Sequence, residues 1–212
     1  MSGIQVSEKL ISFLIFLPLF FISLAVHEFS HAFFANKFGD DTAKKLGRLT
    51  LNPVKHIDLV GSILMPLIAF SSGYLIIGWA KPVPVNRNNF RNPLKNDLVV
   101  TAAGPVSNFL LAFVFYFILM LLNNFNPAGM HLIKKVAWLG IYFNVFLFAF
   151  NLLPIPPLDG SHILYDLFPG ELTAKYLNLG IYGTVLLFVF IYSPLWSMFM
   201  GLVSFLIDLF FT

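Results

Sequence analysis

Residues 10–38 read LISFLIFLPLFFISLAVHEFSHAFFANKF, an apolar run in which His27, Glu28 and His31 are embedded. The run is longer than the roughly 20 helical residues that cross a bilayer core. No small-x-small cleavage site follows it, so we expect a retained helix rather than a signal peptide. A charged side chain at membrane depth costs about 2.5–3.5 kcal/mol even on lenient insertion scales. Three ionisable groups together therefore predict a membrane helix that carries a chemical site.

The composition of the whole chain agrees with a membrane protein. Of its 212 residues 58% are apolar and 11% are charged, and Phe occurs 26 times. Soluble domains are typically about 45–50% apolar and about 25% charged. The net charge of +3 is small and scattered, so we expect no nucleic-acid partner. The chain has no Cys, so any metal site must use His and carboxylate ligands.

We predict an all-α polytopic membrane protein with about five transmembrane helices. Its apolar stretches long enough to cross, alone or as a final pair, are 10–38, 98–122, 136–153, 177–192 and 195–211. The last two are short for full spans and are separated by Ser193-Pro194, a turn signal. The chain is expected to form a single integral membrane domain, 1–212. Its core is 9–162, and a C-terminal helical pair covers 176–211.

Two segments of the predicted core are not expected to be ordinary spans. Glycine, proline and serine interrupt the apolar stretch 57–79, and broken backbone at membrane depth needs protein or a water-filled cavity beside it. We therefore predict that it re-enters the membrane. Residues 81–86 read KPVPVN, a pattern typical of a short extended edge. The alternative is a rigid proline-rich loop. The polar segments 37–56, 81–97, 123–135 and 158–176 are expected to be linkers.

The chemical site is centred on the sequence His27-Glu28-Phe29-Ser30-His31. Histidines at positions i and i+4 lie on one helical face and can reach one metal ion. Glu28 lies about 100° around the helix from His27, near enough to activate a water molecule. The alternative is that neighbouring helices satisfy two buried His and one Glu. The cost of three ionisable groups in an apolar run favours metal-dependent hydrolysis.

A catalytic zinc site takes three protein ligands, so a third ligand must come from elsewhere. The chain offers five candidates: His56, Asp58, His131, Asp159 and His162. Asp159 stands out because it ends the segment NLLPIPPLDG, residues 151–160. Three prolines end the preceding helix just before this carboxylate. A proline-rich loop with an Asp-Gly turn would have the same composition.

These motifs resemble the site-2 protease family of intramembrane zinc metalloproteases. The resemblance rests on HEFSH at 27–31, NLLPIPPLDG at 151–160, Gly-Pro-x-x-Asn at 104–108 and GWAKPVPVN at 78–86. The resemblance covers roughly residues 25–162. Within the family, the chain is similar to the compact branch, which has no PDZ or regulatory domain. Two positions depart from the family pattern. Ser161 stands where a second Gly is common, and His162 where a basic residue is frequent, which keeps His162 as an alternative ligand.

The resemblance implies a specific set of roles. His27, His31 and Asp159 would bind one Zn2+ per chain, Glu28 would act as general base, and Asn151 would contact the substrate backbone or the oxyanion. We expect Asn108 to be structural, pairing across helices. The substrate would be a transmembrane protein or peptide, and an adaptor protein or a second copy of the chain is a possible partner. We expect the chain to lie in a bacterial or archaeal cell membrane.

Two other function classes were weighed against proteolysis. A metal or proton transporter also places His and carboxylates within the membrane, but it does not need a carboxylate beside two histidines at i and i+4. A catalytically silent membrane scaffold would ordinarily have lost Glu28 or a ligand, and the chain retains all of them.

The shared zinc site constrains the topology. His31 lies late in the first helix and Asp159 lies just past 136–153, so both helices must leave the membrane on the same side. This requires 57–79 to dip and return, because a full crossing would place Asp159 on the side opposite His31.

The distribution of basic residues predicts which side carries the site. If 57–79 is re-entrant, residues 37–97 lie on one side of the membrane and carry nine Lys/Arg, and Lys175 lies on the same side. The opposite side carries only Lys9, Lys134 and Lys135. Positive loops collect in the cytoplasm. We therefore expect the active site near the cytoplasmic face.

Overall fold

The computed structural model describes residues 2–72, 78–125 and 130–212, and every regular element in these ranges is helical. The α-helices are α1 (Ser2–Lys37), α2 (Thr42–Lys45), α3 (Met65–Ser72), α4 (Pro93–Phe125), α5 (His131–Asn151), α6 (Asp159–Leu167), α7 (Glu171–Leu177), α8 (Ile181–Ile191) and α9 (Leu195–Asp208). Two 3-10 turns cover Pro53–His56 and Arg87–Asn89, and a π-helical segment, Leu59–Leu64, leads into α3. The predicted all-α class is confirmed for these residues.

Three of the described helices are long and apolar enough to cross a membrane. They are α1 (from Leu10), α4 and α5, and each packs against the other two. Helices α7 and α8, bent by 79°, could together form a fourth span. Helix α9 has 14 residues, fewer than the roughly 20 of a full span. The count of about five transmembrane helices therefore stays a prediction.

The sequence prediction was wrong for the segment 158–176, which is not a linker. Most of it forms α6 and α7, and α6 packs against α4. Helix α6 has nine residues and a mixed sequence, DGSHILYDL. It is too short and too polar to stand out in a search for spanning segments, although its apolar residues follow helical spacing.

The predicted re-entrant segment has its two ends in contact. The Trp79 N–H donates to the Gly61 carbonyl (3.1 Å), and the Ser62 hydroxyl donates to the Trp79 carbonyl (2.7 Å). One step further out, the Lys81 N–H donates to the His56 carbonyl (2.9 Å). Residues 73–77, which belong to the predicted re-entrant segment, lie outside the described residues. The chain thus returns to the place it left, as a dip into the membrane requires.

The predicted extended edge is not a β-strand. Residues 78–86 have no regular secondary structure, and two of them, Pro82 and Pro84, cannot donate in a β-ladder. Side chains bind this backbone instead. Arg48 Nη2 donates to the Lys81 carbonyl (2.6 Å), and Asp40 Oδ2 accepts from the Asn86 N–H (2.7 Å). We call residues 78–86 the extended segment.

Candidate metal centre

The structure brings His27, His31 and Asp159 together. The Nε2 atoms of the two histidines are 3.0 Å apart. Asp159 Oδ2 lies 3.2 Å from Nε2 of His27 and 3.5 Å from Nε2 of His31. Both imidazoles are buried. Two residues on α1 and the first residue of α6 therefore present three metal-ligand atoms to one point.

The other ring nitrogen of each histidine fixes the orientation of the imidazole. His27 Nδ1 donates to Asn108 Oδ1 (2.7 Å), and His31 Nδ1 donates to the Val100 carbonyl (2.7 Å). Both acceptors belong to α4. With the proton on Nδ1, each Nε2 keeps its lone pair towards Asp159, which is how neighbouring hydrogen bonds set the tautomer of a metal-binding histidine.

Asn108 pairs across helices as the sequence predicted, and it also contacts a predicted ligand. Its Nδ2 donates to Asn144 Oδ1 (3.0 Å) and to the Ser23 carbonyl (3.1 Å), while Asn144 Nδ2 donates to Ser23 Oγ (2.9 Å). Asn108, Asn144 and Ser23 are fully buried. Because breaking a buried polar network leaves unpaired groups, this network fixes His27 relative to α1, α4 and α5.

Asp159 owes its position to the start of α6. It is the first residue of that helix, where the backbone dipole favours a carboxylate. A Cβ atom at Gly160 would lie 2.3 Å from the carbonyl oxygens of both Leu152 and Leu153. Only glycine permits this approach, so α6 begins directly against the end of α5.

The charge state of Asp159 suits metal binding. Burial alone would raise the pKa of its carboxyl, but the two imidazoles beside it lower that pKa well below the ordinary range. The carboxyl is therefore ionised at neutral pH, as a ligand must be.

The three ligand atoms fit a zinc ion. Tetrahedral zinc with bonds of about 2.0–2.1 Å holds its ligand atoms about 3.3 Å apart, close to the observed separations of 3.0, 3.2 and 3.5 Å. Asp159 Oδ2 is buried and has no hydrogen-bond partner among the described residues. Three protein ligands leave the fourth position open, as in catalytic zinc sites.

Glu28 lies beside this centre without belonging to the ligand set. Its side chain is largely buried, and Oε2 accepts from the Val83 N–H (2.7 Å). The extended segment thus fixes the carboxylate by a main-chain hydrogen bond. This contact could not be foreseen from the sequence, because the two residues are 55 positions apart.

The other four candidates for the third ligand lie outside the three-atom group. His56 is buried, and its Nε2 donates to the Thr50 carbonyl (2.8 Å). Asp58 caps the π-helical segment, and His131 is exposed at the start of α5. His162 lines the same cleft as the metal ligands, and burial lowers the pKa of its imidazole.

Asn151, expected to contact substrate or oxyanion, lies at the end of α5. Its side chain is half-buried and lines the cleft. Its Nδ2 donates to the Leu147 carbonyl one turn earlier (3.0 Å). The amide is therefore beside the site but is engaged with its own helix in this structure.

A cleft of about 740 Å³ joins the polar centre to an aromatic region. Its lining includes Glu28, the three predicted ligand residues and Asn151. Residues of α1, α5, α8 and α9 also line it, and those with aromatic rings are Phe20, Phe143, Phe146, Phe150, Phe188 and Trp196. The site can therefore receive an apolar chain and present one of its polar bonds to the ligand cluster.

Gly104 provides the space for both imidazoles. A Cβ atom there would lie 2.3 Å from His31 Nε2 and 2.7 Å from His27 Cε1. The variant Gly104→Ala is therefore expected to bind zinc at least about tenfold more weakly, the scale seen when the surroundings of a ligand are disturbed. Metal content after dialysis measures this.

The helical glycine Gly201 supplies the matched control. Nothing lies within 4 Å of a Cβ atom built there, so Gly201→Ala should keep its zinc. Equal zinc content in the two alanine variants would contradict the proposed contact between α4 and the imidazoles.

The chain is similar in sequence to known metallopeptidases. The sequence model of peptidase family M50 matches residues 15–136 and 126–191. "Putative zinc metalloprotease YwhC" of Bacillus subtilis is 44% identical over 83% of the chain and 79% of its own length. The Rip2 proteins of Mycobacterium tuberculosis H37Rv and Mycolicibacterium smegmatis carry the same description. They are 33% and 35% identical over 89% and 66% of the chain, which spans 71% and 51% of their lengths. No solved structure matches significantly.

Proposed function

This chain belongs to peptidase family M50, and we propose that it is an intramembrane zinc endopeptidase that hydrolyses peptide bonds within or near transmembrane segments. The family and the named relatives support a zinc metalloprotease, and its long apolar helices support an integral membrane protein. The choice of a transmembrane substrate rests on one observation: the His27–His31–Asp159 cluster lines an apolar cleft.

The chemistry needs a water nucleophile, a base and stabilisation of the developing oxyanion. When bound, zinc supplies a Lewis acid that polarises the scissile carbonyl and makes water more acidic. Glu28 accepts the proton of the attacking water and then donates it to the leaving amine nitrogen. The Val83 N–H holds the Glu28 carboxylate beside the cleft through this exchange. Asn108 and Val100 keep both imidazoles in the ligand orientation.

Asn151 is the proposed donor to the oxyanion. Its Nδ2 lies at the cleft and donates to the Leu147 carbonyl. A rotation of the side chain would exchange this bond for one to the substrate, at little net cost in hydrogen bonds. Donors of this kind act where charge develops in the transition state.

The substrate must present an unwound peptide, because helical hydrogen bonds shield its backbone. The extended segment borders the cleft with Trp79, Pro82 and Val83. We propose that it binds the unwound substrate alongside its own backbone, as exposed strand edges bind peptides. An adaptor protein or a second copy of the chain would deliver the substrate to the extended segment.

Chelation is the direct test of this function. The purified protein should cleave a transmembrane peptide in detergent, lose cleavage with a zinc chelator, and recover it when zinc is restored. Cleavage that persists in chelator would contradict a metallopeptidase. Transport of zinc or protons into vesicles by the same preparation, without cleavage, would instead support the transporter alternative.

We also propose that the site opens near the cytoplasmic face of a bacterial or archaeal cell membrane. Residues 37–97 carry nine Lys/Arg, and positive loops face the cytoplasm. The contact between Gly61 and Trp79 supports a dip rather than a crossing. The N-terminus and 123–135 would lie outside, and the bent pair α7–α8 together with α9 would complete about five spans.

Labelling of intact cells tests this topology, since the chain has no cysteine of its own. The single variants Lys44→Cys, Asn88→Cys and His131→Cys replace exposed residues. An impermeant thiol reagent should label position 131 alone. Labelling at 88 without labelling at 44 would mean that 57–79 crosses the membrane, which would separate His31 from Asp159.

A further inference from the structure

Arg87 connects three elements of the chain at one guanidinium group. It follows the extended segment directly, and its Nη2 forms ion pairs with Asp97 on α4 and Asp166 on α6. The guanidinium also lies over the Tyr165 ring, 4.9 Å from the ring centroid. The two carboxylate side chains are 5% and 0% exposed, and that of Arg87 is 30% exposed. This cluster uses residues that the proposed chemistry does not.

Each of the three elements also holds one group of the metal centre. The extended segment donates to Glu28 through the Val83 N–H. Helix α4 accepts from His31 at Val100, one turn beyond Asp97. Helix α6 begins with the ligand Asp159, two turns before Asp166.

We propose that Arg87 is a positioning residue for the peptidase site. Arg87 joins the extended segment, α4 and α6. It thereby fixes the positions of Glu28 and Asp159 relative to each other and the orientation of the His31 imidazole. The inference rests on the proposed metal site, and it assigns the assembly of that site to an ion cluster of which Arg87 and Asp97 line the same cleft.

The charge balance of the cluster explains why Arg87 matters. Two buried carboxylates share one cation, and burial together with the nearby Asp97 raises the pKa of Asp166 to about 7. Without Arg87 the two carboxylates would lose the cation that joins α4 and α6 to the extended segment, and one of them would have to take up a proton. The planar fork of a guanidinium can serve two carboxylates, which a lysine ammonium serves less well.

A charge-matched variant separates positioning from simple charge compensation. Arg87→Gln combined with Asp166→Asn removes one positive and one negative group, so the cluster keeps its net charge. The readouts are cobalt affinity, the visible absorption of the cobalt-loaded protein, and thermal unfolding in detergent. We expect unfolding to shift by only a few degrees, cobalt affinity to fall at least about tenfold, and the cobalt spectrum to change. Arg87→Lys should give an intermediate affinity.

The control removes an exposed ion pair on α7. Lys175 and Glu171 are 72% and 81% exposed, and replacing both with Gln should leave cobalt binding unchanged. Wild-type cobalt affinity and spectrum in the double variant would overturn the role of Arg87 and leave the proposed function intact. If that variant does not fold, wild-type values in Arg87→Lys would overturn it. A wild-type protein that binds neither zinc nor cobalt would overturn both proposals.

Discussion

Replacement of Glu28 by glutamine is expected to abolish peptide cleavage while leaving the fold and the bound zinc in place. The amide is nearly isosteric with the carboxylate but cannot accept the proton of the attacking water. General acid–base catalysis contributes about 100- to 10,000-fold to rate, so turnover should fall by that factor. Cleavage of a transmembrane peptide, measured beside zinc content, separates loss of the base from loss of the metal.

The surroundings of Glu28 make this substitution a clean one. Its Oε2 accepts from the Val83 N–H, and the side-chain oxygen of glutamine can accept the same bond. A change of Glu171, exposed on α7, to glutamine is the matched control and should leave turnover unchanged. Turnover in Glu28→Gln within a few-fold of wild type would remove Glu28 from the mechanism.

The part of the site that could be predicted from the sequence is the part set by helix geometry. His27 and His31 share a face because a helix turns every 3.6 residues, and their place in an apolar run predicts a functional role. Asp159 was favoured among five candidates only because of its motif, since proline-rich loops with Asp-Gly turns are common. The structure brings its carboxylate to the two imidazoles.

The parts that could not be predicted depend on which helices meet. His27 and Asn108 are 81 residues apart, and the local sequence of neither indicates the other. Gly104 was noticed in a motif, but the space it leaves for both imidazoles becomes visible only once α1 and α4 are packed together. The ion pairs of Arg87 likewise join residues from a turn, α4 and α6.

The number of spans illustrates a different limit. Hydropathy measures whether a segment tolerates lipid, and not whether it crosses. Helix α8 has 11 residues and α9 has 14, yet both are strongly apolar, so composition does not distinguish a bent span from a helix that stays within one leaflet. By contrast, the requirement that one metal joins α1 to the end of α5 predicted a dip at 57–79, whose two ends are in contact.

Removal of the proposed third ligand, Asp159, is expected to have the largest effect on metal binding. Asp159→Ala deletes the only carboxylate in the three-atom cluster of the described residues and leaves two imidazole nitrogens 3.0 Å apart. Loss of a group that merely orients a ligand costs about 10- to 100-fold in metal affinity, so loss of the ligand itself should cost more than about 100-fold. Competition with a chromogenic chelator measures the affinity.

His162→Ala is the comparison that decides which α6 residue binds the metal. His162 lies one turn beyond Asp159 and lines the same cleft, but its nitrogens lie outside the ligand cluster, so His162→Ala should keep its zinc within a few-fold. If His162→Ala lost its zinc and Asp159→Ala kept it, the third ligand would be His162 instead of Asp159. A carboxylate at the first residue of α6 would then have to be explained by the helix dipole alone.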